Sequence, residues 1–335
     1  MVRSQEKEGT ASRVDAHMQN EVETIDEALL PPTTHIGLVA LTVASLAGAC
    51  TFYEQVLGFR LLEQGQRRAV LGAADEQGRL QPLLLLVAQP EAQPQPPYTT
   101  GLYHFAILVP SRSALERSLA HLVARRYPPG GYSDHLVSEA LYLSDPEANG
   151  IEIYRDRPRE TWRWQRGQVM MAVDPFDIQA MLAQGQRSLA EAAWDGLAAG
   201  TVIGHIHLRV ADLREAERFY HQILGFEVTA QMPGALFVSA GGYHHHIGLN
   251  TWESRGAPPP PENSLGLRFF SVELPTAEEI ERLAERLARA DWPLQKWGDG
   301  LAVRDPWRNL VVLVPEEARS SLLAEDWGLA SGTAM

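Results

Sequence analysis

Three polar residues stand inside otherwise apolar, strand-like runs, where a polar side chain needs a reason. They are His104 in GLYHFAILV, Glu152 in NGIEIY and His205 in IGHIHLRV. Two imidazoles and one carboxylate form the ligand set of a mononuclear non-haem Fe(II) site that keeps adjacent positions open. Alternation along a strand puts His205 and His207 on one face and Ile206 and Leu208 on the other. Glu152 and Tyr154 share a face in the same way. A single His or Glu in such a strand is more often a surface position or a satisfied core group.

The elements that must carry these residues repeat. VALTVASLAGACTFYEQVLGFR and IHLRVADLREAERFYHQILGFE share a β-branched strand, a helix-capping residue (Ser45 or Asp212), an amphipathic helix and the string FYxxxLGF. GLYHFAILV is matched by GLRFFSVEL, and SDPEANGIEIY by RDPWRNLVVLV. The chain therefore reads as four units, each a strand, a helix and several further strands. DPxxN before Glu152 lacks the alternating ligands of a calcium loop and is a turn between strands. TAEEIERLAERLARADW predicts a helix packing Ile280, Leu283 and Leu287 inward.

The 335 residues suit about two domains at ~100–200 residues each. A net charge of −13 argues against nucleic acid, whose phosphates call for clustered Lys and Arg. Cys50 is the single cysteine, so no internal disulfide forms and a reducing, cytoplasmic setting fits. No apolar run in residues 1–30 is long enough for a signal peptide or a membrane span. The expected organisation is a disordered tail at 1–32, a first half at 33–157, a helical connector at 158–200, a second half at 201–316 and a C-terminal tail at 317–335. Within the connector, FDIQAMLAQGQ and LAEAAWDGLAAG look helical, and Trp162, Trp164 and Trp194 read as packing anchors.

This arrangement resembles the vicinal-oxygen-chelate superfamily, and within it the type I extradiol ring-cleaving dioxygenases, the catechol 2,3-dioxygenases of the CatE-like kind. GLYHFAILV, SEALYLSDPEANGIEIY, IGHIHLRVADLREAERFY and SAGGYHHHIGLN carry the likeness, which covers nearly all of 33–316. It implies an α+β fold of four βαβββ units forming two half-open cups, as in glyoxalases and bleomycin-resistance proteins. It also implies metal ligands at His104, Glu152 and His205, Fe(II) as the cofactor with Mn(II) compatible, and a catecholic small molecule plus O2 as substrates. Neither nucleic acid nor membrane is an expected partner, and self-association into a homo-oligomer is compatible with the fold.

The ligand census departs from the better-known members, in which all three ligands come from the last two units. Here the places of His104 and Glu152 in unit four are Phe269 and Val312, and that of His205 in unit one is Leu38. Units two and three are therefore expected to face each other around the metal, while units one and four form a metal-free cup. The resemblance further implies a proton-shuttling His near the end of SAGGYHHHIGLN. That residue is expected to be His246, with His244 in reserve on the same face and His245 turned away. Tyr142, ten residues before Glu152, matches the family's active-site tyrosine, and His135 lies near its other active-site histidine. The implied reaction is extradiol cleavage of the ring beside the diol; a glyoxalase- or epimerase-like enzyme and a small-molecule-binding protein on the same fold are the alternatives.

Overall fold

The computed structural model describes residues 29–323, so most of the expected N-terminal tail and the last part of the C-terminal one lie outside the described residues. Two eight-stranded sheets make up the protein. In the first, the strand order is Leu294–Trp297, Gly300–Arg304, Leu310–Pro315, Gly266–Leu274, His35–Val43, Leu80–Ala88, Arg68–Ala74 and Arg60–Gln64. In the second, it is Glu227–Met232, Ala235–Ser239, Ile247–Asn250, Val202–Arg209, Gly101–Leu108, Gly150–Asp156, Ser138–Ser144 and Gly131–Asp134. Units one and four thus share one sheet and units two and three the other, the exchanged pairing that the ligand census implies. Each sheet is joined at its middle by an antiparallel pair of first strands, His35–Val43 with Gly266–Leu274 and Val202–Arg209 with Gly101–Leu108.

The helices follow from their caps. Ser45 accepts the Gly48 N–H, and Asp212 accepts those of Arg214 and Glu215, satisfying donors that the first turn leaves free. Leu46–Phe52 and Leu213–Glu217 each run on into a wider π turn, ended by Gly58 at φ 87° and Gly225 at φ 91°. These turns aim the tyrosine of the FY motif out of its own sheet: Tyr53 donates to Asp145 and Tyr220 to Asp305. Each aspartate heads a DPxxN turn belonging to the opposite sheet, so the repeat supplies its own bolts. Between the sheets lies the main apolar core, which draws Phe52, Phe59, Phe105, Phe219, Phe226, Phe270 and Leu287 from all four units.

The metal-free cup is filled. Leu38, Phe269 and Val312 pack with Ala40, Val70, Trp297, Ala302 and Leu322 into a separate apolar cluster. Leu322 comes from Glu316–Leu323, a 3-10 helix where the sequence suggested a tail. The connector has a 3-10 turn at Arg159–Thr161 and an α-helix at Ile178–Glu191; residues 192–200 are irregular, because the helix stops at Ala192 in extended backbone. That helix crosses Arg112–Ala124 closely at Gly185, where a Cβ would lie 2.0 Å from the Glu116 carbonyl oxygen. Earlier in the connector, Trp164–Gln165 pairs with Gln168–Val169. Among the described residues, no helix is long and apolar enough to cross a membrane.

Candidate metal centre and active site

Register fixes the site. His205 stands opposite Ala106, Ala106 lies beside Glu152 in the next ladder, and Glu152 is opposite Tyr142. One row across the second sheet therefore carries His205, Ala106, Glu152 and Tyr142. His104, two residues from Ala106 on the same face, is opposite His207. The small, buried Ala106 stands between His205 and Glu152 in this row. In the first sheet, Ser271 pairs with Val312 and Val312 with Ala302, so the corresponding row has no ligand to offer.

His104, Glu152 and His205 are buried, and a ligand atom from each lies within 4.8 Å of the other two. One carboxylate oxygen, Oε2 of Glu152, is 3.0 Å from His104 Nε2 and 3.2 Å from His205 Nε2. Two donors at right angles around an ion, each ~2.1 Å from it, would be about 3 Å apart. Despite its short contact, His104 Nε2 is buried with no hydrogen bond, and His205 Nδ1 is also unpartnered. Three donor atoms thus converge: His205 Nε2 shares a hydrogen bond with Glu152 Oε2, while His104 Nε2 is left unsatisfied. Burial lowers the His205 pKa to about 4 even though Glu152 opposes the shift, so its imidazole is neutral and has a lone pair to offer. Burial pushes Glu152 upward, but His205 and His104 outweigh it and hold the carboxyl well below its ordinary range. Two imidazoles and an ionised carboxylate suit a divalent ion.

This face opens into a cavity of about 780 Å³. Tyr142 and His135 both line it, and His135 Nε2 is 2.5 Å from the Tyr142 hydroxyl. The other ring nitrogen, Nδ1, is 2.6 Å from the Ala172 carbonyl oxygen, so it carries the proton and Nε2 accepts from the phenol. Burial, then the Glu152 charge, raises Tyr142 well above the usual phenol value and keeps it protonated. His207 also lines the cavity, with Nε2 3.0 Å from Asn250 Nδ2.

The three consecutive histidines are arranged otherwise than expected. His246 does not line the cavity; its Nδ1 accepts from the Ala240 N–H at 3.2 Å, and its ring stacks on Tyr243 with centroids 4.9 Å apart. Burial, helped by His244, lowers its pKa to about 3. His245, expected to turn away, faces the cavity with its ring centroid 4.1 Å from that of His205. Strand alternation fails here because regular pairing starts only at Ile247, after a turn in which Gly241 and Gly242 have φ of 62° and 63°. His244 is the middle of a chain: Nε2 is 2.9 Å from Asp156 Oδ1, and Nδ1 is 2.8 Å from His245 Nδ1. In the tautomer in which His244 Nε2 donates to Asp156, His244 Nδ1 accepts from His245 Nδ1. That leaves His245 Nε2 as a bare lone pair, and this atom is buried with no partner. Sequence reasoning passed over Asp156, although it continues the Glu152–Tyr154 face of its strand.

Among known proteins, the chain matches the Glyoxalase/Bleomycin resistance protein/Dioxygenase superfamily over residues 35–153 and 202–313. It is 45% identical over 277 residues to the catechol-2,3-dioxygenase of Bacillus subtilis (strain 168), covering 82% of this chain and 94% of that one. Solved structures share the fold at low identity. A candidate dioxygenase from Bacillus subtilis superposes with a TM-score of 0.58 at 13% identity, covering 86% of each chain. The V278E mutant of glyoxalase I from Zea mays does so with a TM-score of 0.51 at 14% identity, covering 90% of this chain and 98% of that one. With both βαβββ pairs matched and most of its length shared with one relative, the chain belongs to the Glyoxalase/Bleomycin resistance protein/Dioxygenase superfamily.

Proposed function

We propose that this protein cleaves catechols extradiol to the two hydroxyls, using O2 and a ferrous ion held by His104, Glu152 and His205. The observation that carries this reading is the convergence of two imidazoles on one Glu152 oxygen at the wall of a ligand-sized cavity. When bound, ferrous iron supplies a Lewis-acidic centre that chelates a vicinal diol and a means of activating O2. A similar enzyme named for this reaction at 45% identity supports the choice.

The protein's own groups handle protons. His245, which lines the cavity and whose buried Nε2 has no partner, takes a proton from a catechol hydroxyl as general base. Asp156 and His244 hold the ring in the tautomer that leaves this nitrogen free and stabilise the charge it gains. Tyr142 presents a phenol oxygen that accepts a hydrogen bond from substrate, and His135 stands behind it as a proton acceptor and donor. Returning the proton balances the overall step, in which catechol and O2 combine to give a hydroxymuconic semialdehyde with both oxygen atoms retained.

Iron-loaded protein prepared without air should, on mixing with catechol and oxygen, take up one O2 per ring opened and form the yellow semialdehyde. Iron-loaded protein that consumes no oxygen with catechol or any simple substituted catechol would overturn the assignment.

A further inference from the structure

Resting on that reading, we propose that the cavity selects catechols bearing an uncharged, apolar substituent and discriminates against those bearing a carboxylate, with the connector strap Val169–Asp174 forming part of the selective wall.

Size is the first argument. Pockets for small molecules span roughly 300–1,000 Å³; at about 780 Å³ this one is large, and a bare catechol on the ligand row would leave most of it unfilled. Chemistry is the second. The remaining space is walled by Val137, Met171, Val173, Met232, Phe237 and Trp252. Four of these six, Val137, Met171, Met232 and Phe237, belong to one packed apolar cluster with Trp162 and Tyr243. The two methionines adapt to irregular alkyl or aryl shapes. Val173 is 73% exposed and Trp252 52%, so the apolar surface continues to the mouth.

Charge is the third. Among the described residues, no Lys or Arg lines the cavity, and its one carboxylate is Glu152. Arg209, two residues from His207, lies near Glu253 and Tyr103 but does not line the cavity, and the arginines near Glu152 are committed elsewhere. Arg155 lies one residue out of phase with Tyr154 and Asp156, so it projects from the opposite face of the sheet. There Arg112, Arg155 and Arg157 all contact the buried Glu139, at 3.1, 2.6 and 3.3 Å. Arg159 lies over the Trp162 and Tyr243 rings. A substituent carboxylate would therefore lose its hydration without gaining a cation. The net charge of −13 also disfavours the approach of an anion.

The strap is held in place and not merely nearby. Asp134 and Asp174 exchange backbone hydrogen bonds at 2.8 and 3.0 Å, and the Ala172 N–H donates to the His135 carbonyl at 3.3 Å. Because the Ala172 carbonyl in turn orients His135, the segment that sets substituent fit also touches the proton-handling pair.

A charged and neutral pair tests the proposal: 3,4-dihydroxyphenylacetate and its methyl ester, which differ in charge and by one methyl group. Bare catechol serves as the control. Both kcat/KM of the iron-loaded protein and binding measured without oxygen by calorimetry should favour the ester, each by about tenfold or more, the scale on which pockets discriminate. Lengthening a 4-alkyl chain from methyl to butyl should lower KM. Val173→Arg adds a cation at an exposed rim position, and should raise the acid-to-ester ratio of kcat/KM several-fold. Cleavage of bare catechol with equal or better handling of the acid would overturn this proposal alone. An acid-to-ester ratio unaffected by Val173→Arg would remove the strap from it. Failure to cleave bare catechol would instead overturn the proposed reaction, while the calorimetric comparison would still decide the cavity's preference.

Discussion

Tyr53 donates its hydroxyl proton to Asp145 Oδ2 at 2.8 Å, across the junction between the two sheets. Asp145 also accepts from the backbone N–H groups of Glu147 and Asn149, and from Asn149 Nδ2, which fixes the turn immediately before the Glu152 strand. The first unit lacks metal chemistry but still positions a ligand strand. Tyr53→Phe should cost about 1–3 kcal/mol, the usual penalty for leaving a buried acceptor short of a donor. Urea denaturation would measure it, and a loss below about 0.5 kcal/mol would mean that Asn149 and the backbone suffice.

In the proposed site, Ala106 lies between His205 and Glu152 in the sheet row and is fully buried, so its small side chain is what would let an ion sit there. Ala106→Leu should leave a folded protein, about 1–3 kcal/mol less stable from overpacking. It should bind little iron, because the added side chain occupies the space that the ligand atoms converge on. Circular dichroism and metal analysis on one sample would separate the effects. Full iron content would place the ion elsewhere.

His245 and His246 should separate cleanly on mutation. His245→Ala should keep iron yet lose about 10²–10⁴-fold in kcat, the usual contribution of a general base. His246→Ala should keep both iron and turnover, apart from a stability loss where it packs on Tyr243. Asp156→Asn should give an intermediate loss, since the amide can still hold His244 but stabilises its charge poorly. The opposite pattern, with His246 essential and His245 dispensable, would restore the reading from sequence.

The cluster of His104, Glu152 and His205 was legible because these residues interrupt strands whose other residues are apolar, and strand alternation holds where the strands are regular. The apolar filling of the other cup was legible for the same reason: Leu38, Phe269 and Val312 are strand residues at matching places, and they are packed core. His245 was misread because alternation was extended into a glycine turn, where successive residues do not keep to opposite faces. The Ala172 contact with His135 had no sequence signal at all. A backbone carbonyl carries no side-chain identity, and where a loop docks is set by three-dimensional packing.

The central claim is that His104, Glu152 and His205 hold one ferrous ion, and anomalous diffraction from crystals loaded with Fe(II) without air tests it most directly. The account predicts one strong iron peak per chain, bonded at ~2.0–2.2 Å to a nitrogen of His104, a nitrogen of His205 and a Glu152 oxygen, with none in the cup formed by Leu38, Phe269 and Val312. A peak among His244, His245 and His246 instead, or no ordered iron at the three residues, would contradict it.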